Sequence, residues 1–275
     1  GDGLNSLNAM MNNPFASAFD SYGNLFIADK ENHVIRVIYK NISPLLQISL
    51  LNNNRYSILE YGDIYTIMGD GNKGFSISGT LCFKGLLNSP TDICIDSNDN
   101  IYIVLPNANV IQKIDSSTGI VTAYCGTYIT NWWEPSNDSG EGGLATKAVL
   151  NNPWSIALDN HGNLFLADTS NSKIKFVYNG ISTPLINAYY NVNDLSIGSI
   201  YTLLEGYSCQ GIQFDRDGNL YFNKYGSYSI YVVINISNSI LLSSILTNNL
   251  TIGNVYKFGS GPYNSENNGG DGSNA

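Results

Sequence analysis

Short apolar segments of four to six residues, divided by polar turns, run along most of this 275-residue chain. One phrase returns four times: a short apolar strand, an Asp that opens a tight turn, and a second strand rich in Leu, Ile, Phe and Tyr. The Asp residues that open these turns are Asp20, Asp96, Asp159 and Asp215. This pattern predicts a β-hairpin in each copy, because an Asp carboxylate accepts backbone N–H groups in such turns. We therefore interpret the four turn aspartates as structural.

Each hairpin is followed by two further apolar strands. The predicted third strands are 34–38, 110–114, 174–177 and 230–234, and the predicted fourth strands are 63–67, 120–124, 199–203 and 254–258. No segment of the sequence shows a convincing amphipathic helix period. Each repeat is therefore predicted to be a four-stranded antiparallel meander.

Four-stranded meanders that repeat with short connections are typical of the blades of a β-propeller. One blade cannot bury both of its faces, so neighbouring blades must pack against it. We predict an all-β fold, a β-propeller of four-stranded antiparallel blades with four repeats visible. The predicted blades are 12–69, 88–126, 151–206 and 209–259, and a further repeat is predicted to start at 269–275. Three arrangements stay open: part of a six-bladed or larger assembly, a closed ring of four blades, or chains joined end to end.

The repeat carries a family resemblance. It reads Asn-Pro, a strand, Asp-x-x-Gly-Asn-Leu-(Tyr/Phe)-Ile-Ala-Asp, x-x-Asn and then Ile-(Arg/Lys), and is clearest in residues 12–38 and 151–177. Glycine-rich lead-ins at 1–14 and 140–153 match each other in register. This pattern resembles the NHL repeat of bacterial-type NHL propellers. The resemblance implies blades of a six-bladed ring, in a family that includes binding scaffolds, RNA binders and a few enzymes.

The connection between the third and fourth strands is much longer in three of the repeats than in the second. Within it, the apolar segments 45–51 and 240–246 are predicted to extend the strands into long outer hairpins at the blade rims. Apolar residues so far from the axis indicate either contact with a neighbouring molecule or packing of the hairpin against itself.

The net charge of −9 and the absence of any basic run exclude a nucleic-acid backbone as the partner. The uncharged region between Tyr225 and Tyr256 is interrupted by Asn and Ser residues, which favours short strands over a membrane span. We therefore expect a protein partner or self-association, with neither nucleic acid nor a membrane bound.

Paired candidate ligands follow two of the second strands. Asp29 and Asp168 end these strands, with Asn32 and Asn171 three residues further on, and Glu141 lies on a link expected at the same propeller face. Oxygen ligands of this kind can bind a hard cation, so calcium is the cofactor that the pattern allows. The alternative, which we favour, is that each Asp caps its own loop and that no cofactor is bound.

Two tryptophans and two histidines give weaker indications of a functional site. Trp132 and Trp133 form an aromatic pair in an inter-blade loop, where they can bind a protein or a glycan, or cover the top of a blade. The chain's two histidines, His33 and His161, are expected at opposite blade ends, which disfavours a shared zinc site.

These observations favour a non-catalytic β-propeller that acts as an interaction or structural module. Its partner contacts are expected at the rim hairpins and the inter-blade loops. The alternative is a metal-dependent hydrolase or lyase with a carboxylate and Asn site on the propeller axis.

Overall fold

The structure, a computed structural model, describes residues 2–51, 56–128, 138–227, 229–235 and 250–260. It contains four antiparallel sheets, one for each repeat, arranged as the blades of a four-bladed β-propeller. The predicted fold class is confirmed. The first two sheets each gain a two-residue fifth strand, which comes from the segment that precedes the repeat.

The four repeat strands of each blade follow one another outward from the axis, and the extra strand of each of the first two blades lies at the outer edge. Blade 1 has the order β1-β5-β4-β3-β2 and consists of β1 (Leu4–Asn5), β2 (Pro14–Phe19), β3 (Leu25–Asp29), β4 (Val34–Ile38) and β5 (Asp63–Met68). Blade 2 has the order β6-β10-β9-β8-β7 and consists of β6 (Thr80–Leu81), β7 (Asp92–Ile95), β8 (Ile101–Leu105), β9 (Val110–Ile114) and β10 (Ile120–Cys125).

The other two sheets have four strands. Blade 3 consists of β11 (Ser155–Leu158), β12 (Leu164–Asp168), β13 (Lys173–Val177) and β14 (Ile200–Glu205). Blade 4 consists of β15 (Ile212–Phe214), β16 (Leu220–Lys224), β17 (Ser229–Val233) and β18 (Val255–Ser260). Short 3₁₀ turns lie at Ser6–Asn8, Lys30–Asn32, Cys82–Lys84, Pro106–Ala108, Ala145–Lys147, Thr169–Asn171 and Val192–Asp194.

The inner strands β2, β7, β11 and β15 pack against one another in chain order around a central channel of about 500 Å³. Each pair of successive blades encloses an apolar core. Within the described residues, no comparable packing joins β15 back to β2. Among the residues that the structure describes, the blades therefore pack in series from blade 1 to blade 4.

The predicted strand extension at 45–51 is wrong, because this segment is helical. It forms α1 (Pro44–Leu46), which continues as a π-helical turn over Gln47–Leu51. The Ser43 hydroxyl accepts the N–H of Leu46 at 3.4 Å, and Pro44 suits the first helical position. The predicted hairpin segment 240–246 lies outside the described residues.

The same local sequence builds a second rim helix, α2 (Pro184–Asn187), in blade 3. Thr183 caps it as Ser43 caps α1, with its hydroxyl 3.2 Å from the N of Ile186. The apolar side chains of both helices are buried in the cores between blades 1 and 2 and between blades 3 and 4. The apolar residues of the blade 1 rim therefore pack on the propeller itself.

Among the described residues, no helix is both long and apolar enough to cross a membrane.

Candidate functional site

The turn aspartates hold the hairpins together, as predicted. In blade 3 the Asp159 Oδ1 accepts the backbone N–H groups of His161 and Asn163, both at 2.9 Å. Its Oδ2 accepts the Asn163 side-chain amide at 2.7 Å. One carboxylate thereby accepts hydrogen bonds from three donors in a turn whose backbone groups lie outside the strand pairing. The matching carboxylates are Asp20, Asp96 and Asp215.

The Asn of the repeat has a second role that the sequence interpretation missed. The Asn163 Oδ1 accepts the backbone N–H of Asn179, just after β13, at 2.8 Å. The hairpin turn is thus bonded to the end of the third strand. The other Asn residues that make this bond are Asn24, Asn100 and Asn219. The signal that could have revealed this role is the Asn four residues after each turn Asp.

Asp29 is fully buried at the end of β3, and both of its oxygens accept hydrogen bonds within blade 1. Its Oδ1 accepts the backbone N–H of Asn12 at 2.8 Å, and its Oδ2 accepts the Asn32 side-chain amide at 2.8 Å. The Arg36 guanidinium lies 3.8 Å from the same Oδ2. The candidate pair Asp29 and Asn32 is thus brought together, with the amide group of Asn32 facing the carboxylate.

Asp168 has the same arrangement in blade 3. Its Oδ1 accepts the N–H of Asn151 at 2.7 Å, and its Oδ2 accepts the Asn171 amide at 2.8 Å. Burial raises the pKa of Asp168 to about 6, although these two hydrogen bonds and the charge of Lys175 act in the opposite direction. Asp92, which lines the central channel, also has its pKa raised to about 6, mainly by burial.

Because the pKa values of these two carboxyls are raised, we expect the protein to become more stable when the pH falls from 7 to 5. An Asp whose folded-state pKa lies above its unfolded value of 3.8 binds its proton more tightly in the folded state. Its contribution is therefore fully present below the unfolded pKa and is lost as the pH rises through about 6. Each group contributes up to about 3 kcal/mol to the free energy of unfolding, which urea titration at each pH measures.

Asp168→Asn is expected to reduce the gain in stability on acidification. Asp70→Asn provides the control, because Asp70 is an exposed carboxyl whose pKa is lowered by its hydrogen bonds with Asn72. An equal pH dependence in wild type and the Asp168→Asn variant would show that this carboxyl does not titrate near pH 6.

Glu141, the third candidate metal ligand, is held by blade 3 itself. Its Oε1 accepts the N–H of Thr202 at 2.6 Å, and its Oε2 accepts the Thr202 hydroxyl at 2.7 Å. The buried Lys175 ammonium lies 3.3 Å from Oε2 and 3.0 Å from an oxygen of Asp138. The lead-in to blade 3 is thereby attached to the sheet.

Blade 1 repeats this arrangement with Asp2 in place of Glu141. The Arg36 Nη2 donates to Asp2 Oδ1 at 2.9 Å, and Thr66 donates to Asp2 from both its backbone N and its hydroxyl, at 3.0 Å each. Each lead-in carboxylate thus binds a buried cation on the third strand of its own blade. This role for Arg36 and Lys175 was not foreseen, although the Ile-(Arg/Lys) of the repeat marks both positions.

The candidate metal ligands therefore have protein partners in place. Within the described residues, no group of three or more His, Cys, Asp or Glu side chains is placed to hold a metal ion. A calcium ion at Asp29 or Asp168 would have to displace the Asn amide and compete with the neighbouring cationic side chain. Calcium binding stays a prediction.

The aromatic pair Trp132 and Trp133 lies outside the described residues, and its role as a protein or glycan site stays a prediction. His33 is buried, and its Nδ1 accepts the backbone N–H of Ser89 at 3.1 Å, which ties blade 1 to the segment before blade 2. His161 lies instead in the hairpin turn of blade 3, beside a cleft between blades 2 and 3.

This cleft is about 640 Å³ in volume and was not predicted. It lies between blades 2 and 3. Blade 2 has no rim helix, because a short turn joins β9 directly to β10. Its wall includes Asp96, Lys113 and two tyrosines, Tyr102 and Tyr124, which pack edge to face with centroids 4.8 Å apart. The cleft offers aromatic surface and hydrogen-bonding groups to a polar ligand, and the Asp96 carboxylate is already bonded to the Tyr102 hydroxyl.

The chain is similar to known proteins either over less than half of its length or at low sequence identity. No family model matches the chain. The chain is 29% identical over 121 residues, 43% of its length, to Protein SUPPRESSOR OF QUENCHING 1, chloroplastic, of Arabidopsis thaliana, and this stretch is 10% of that protein. NHL membership therefore stays a prediction.

Two solved structures of lyases are similar to part of the chain. One is a catalytically inactive virginiamycin B lyase from Staphylococcus aureus with quinupristin, at a TM-score of 0.49 and 16% identity, with 93% of this chain and 58% of that chain covered. The other is a streptogramin B lyase, at a TM-score of 0.47 and 15% identity, with 83% of this chain and 54% of that chain covered. The chain thus spans little more than half the length of these two lyases and a tenth of the curated relative.

Proposed function

We propose that this chain is a non-catalytic interaction or structural module that binds a protein partner through an apolar face of blade 1. The observation that carries the proposal is the outer face of blade 1. We call this surface the head face and define it by Phe19, Leu25 and Ile38, which lie side by side on β2, β3 and β4. Phe19 is 67% exposed, and the other two side chains are partly exposed.

An apolar sheet face is costly to leave in water, because each Å² of apolar surface that is removed from water contributes about 25 cal/mol. The groove beside the head face is also lined by apolar residues, among them Met11 and Ile27. A row of large apolar side chains across three neighbouring strands is typical of a surface that another sheet covers. The head face therefore favours a protein partner over a small ligand.

The carboxylates support the same proposal. Asp29, Asp168 and Glu141 accept hydrogen bonds from their own blades and lie beside Arg36 or Lys175. Groups engaged in this way stabilise the blades and are poorly placed to coordinate a metal ion for catalysis. In a metal-dependent hydrolase or lyase, these carboxylates would have to break their present hydrogen bonds before they could coordinate the ion.

Calcium is expected to leave the stability of the protein unchanged. Melting curves in about 1 mM calcium chloride and in EDTA should agree within about 1 °C. A calcium site whose Kd is about one hundredth of that concentration would add about 2.7 kcal/mol to the free energy of unfolding and raise the melting temperature by several degrees. Metal analysis of the purified chain is expected to find no stoichiometric ion. A stoichiometric ion, or a melting temperature that rises with calcium, would contradict the proposal and favour the metal-dependent enzyme.

The head face itself is tested with a dye that fluoresces on apolar surfaces, bis-ANS, at low protein concentration. Phe19→Asp is expected to lower the fluorescence of the bound dye. The matched control is Ile197→Asp, a change at a residue 71% exposed in the connection between β13 and β14. Equal dye binding by the two variants would show that the head face is not an accessible apolar surface.

A further inference from the structure

We propose that the cleft between blades 2 and 3 binds a neutral saccharide. This site lies apart from the head face and goes beyond the proposed protein partner. The cleft is about 640 Å³ in volume, within the range of about 300–1,000 Å³ that is typical of small-molecule sites. Blade 2 lines it with Tyr102, Lys113 and Tyr124, and blade 3 lines it with His161, Asn179 and Ile181.

The cleft exists because blade 2 supplies no rim helix. At the other two kinds of interface the corresponding space is filled. Leu45 and Leu46 of α1 are buried in the core between blades 1 and 2, and Leu185 and Ile186 of α2 are buried in the core between blades 3 and 4. Blade 2 joins β9 to β10 by a short turn instead. The space that a helix occupies elsewhere is therefore open between blades 2 and 3.

The row of side chains beside the cleft differs from the matching rows of blades 1 and 3. Those two rows run across the second, third and fourth strands of their blades, and all of their side chains are buried. In blade 2, by contrast, the third strand carries the partly exposed Lys113, and the fourth strand carries the exposed Thr122. Blade 2 is therefore polar at positions that a rim helix covers in the other two blades. The three rows are Phe26–Val37–Tyr65, Tyr102–Lys113–Thr122 and Phe165–Phe176–Tyr201.

Two hydrogen-bond donors in the cleft have no partner among the residues that the structure describes. The Lys113 ammonium forms neither a hydrogen bond nor an ion pair with that part of the chain, and it lies 5.8 Å from the centre of the Tyr102 ring. The Tyr124 hydroxyl is also without a hydrogen-bond partner there. Burial raises the pKa of Tyr124 to about 12, so this hydroxyl keeps its proton at neutral pH. Both groups can therefore donate to a ligand.

Blade 3 contributes an acceptor to the same cleft. Asn179 and Asn235 occupy matching positions, since the backbone N–H of each donates to the Asn of its own hairpin turn. The Asn235 Oδ1 accepts the backbone N–H of Leu185, in the rim helix of the preceding blade, at 2.8 Å. Asn179 has no such helix before it. Its Nδ2 donates to the carbonyl oxygen of His161 at 3.1 Å, and its Oδ1 has no partner within the described ranges.

The presence of both donors and an acceptor identifies the class of ligand. An anion only accepts hydrogen bonds and would leave the Asn179 Oδ1 unpaired, whereas a cation is repelled by Lys113. A hydroxyl group both donates and accepts, so a ligand with several hydroxyls can bond to both walls. The carboxylates of Asp96 and Asp159 line the cleft, are bonded to their own turns, and disfavour an anion further. The partly exposed Tyr124 ring offers apolar surface to the C–H groups of a sugar.

An array of neutral and acidic glycans, probed with the purified chain, tests this proposal. The chain is expected to bind neutral glycans. The free form of the neutral glycan that binds best is then titrated into the chain by calorimetry, where one site per chain is expected. Because the ligand carries no charge, its affinity is expected to change less than about twofold between about 50 and about 500 mM sodium chloride.

Two conservative variants test the cleft itself. Tyr124→Phe removes one hydroxyl and is expected to weaken binding about 5-fold, and Lys113→Met removes the ammonium and is expected to weaken it about 10-fold or more. The matched controls Tyr225→Phe and Lys147→Met change an exposed tyrosine and an exposed lysine outside the cleft, and they should bind as wild type does. Phe19→Asp should also bind as wild type does, because the head face is a separate surface. Melting curves verify that the variants remain folded.

Three results would overturn the inference: no neutral glycan is bound, only acidic glycans are bound with an affinity that falls with salt, or binding is unchanged in both Tyr124→Phe and Lys113→Met. Glycan binding that persists in both cleft variants but is lost in Trp133→Ala would place the ligand at the predicted aromatic pair and reject the cleft. None of these results affects the head face, because bis-ANS binding and its reduction in Phe19→Asp are measured without glycan.

Discussion

Asp159→Ala is expected to lower the free energy of unfolding by about 3 kcal/mol, because three donors lose their acceptor at once. The backbone N–H groups of His161 and Asn163 and the side-chain amide of Asn163 all point to this carboxylate. The same amide also donates to the carbonyl oxygen of Ile181, at 2.9 Å, so this group keeps one partner and the backbone donors carry most of the loss. Urea unfolding followed by circular dichroism measures the change.

The matched control is Asn160→Ala, one residue further along the same turn. Asn160 is exposed, and its amide donates to the carbonyl oxygen of Arg216 at 3.3 Å. Its loss is expected to change the stability by less than about 0.5 kcal/mol. If the two variants are equally stable, the turn carboxylate is not what holds the hairpin.

Lys175→Met is expected to cost about 3 kcal/mol, because it removes a buried cation and leaves its partners behind. The Lys175 side chain is 3% exposed, and its ammonium lies between Asp138 and Glu141. Without it, the pKa of Asp168 is expected to rise further, since the charge of Lys175 is one of the influences that lower it. The variant should therefore show a larger gain in stability on acidification than wild type, measured by urea unfolding at pH 7 and pH 5.

Lys173→Met serves as the comparison because this lysine shares the partner Asp138, at 2.6 Å, but is 23% exposed. A pair in contact with water contributes little, so the cost is expected to stay below about 1 kcal/mol. Equal losses for the two lysines would show that burial of the Lys175 ion pair does not set its contribution.

The fold could be predicted because local sequence patterns specify the strands and turns of each blade. The turn Asp, the Asn four residues on and the alternation of the strands act within about 20 residues, and they act in the same way in every copy. The rim helix at 44–51 was mispredicted for the opposite reason. A run of leucines suits either a strand or a buried helix, and the signal that decides between them is the cap formed by Ser43 and Pro44.

The chemistry of the candidate site was harder to predict, since it depends on pairs that are distant in sequence. Asp2 and Arg36 are 34 residues apart, as are Glu141 and Lys175. An acidic residue in a lead-in and a cation on a third strand do not show, from the sequence alone, that they meet. The sequence allowed calcium at these carboxylates and favoured loop capping, but it did not identify their partners, which are a cation or an amide of the same blade.

The exposure of Phe19 and Ile230 was not predicted either, because the matching residues of the other repeats pack in or against the cores between blades. Only the arrangement of the blades distinguishes a first or last copy from an inner one. Burial in a repeat protein is a property of position in the series as well as of residue type.

The connection between the third and fourth strands of a blade lies at the rim, away from the four inner strands that pack around the central channel. Blade 2 closes this connection with the turn Asp115–Gly119, whereas blade 1 places a helix there, yet the cross-strand pair Leu25–Ile38 of blade 1 and the pair Ile101–Ile114 of blade 2 are both apolar. The rim segments thus differ between blades of this chain, whereas these cross-strand pairs are alike. The number of residues between two copies is therefore set largely by the rim segment, and it does not indicate how many blades surround the axis.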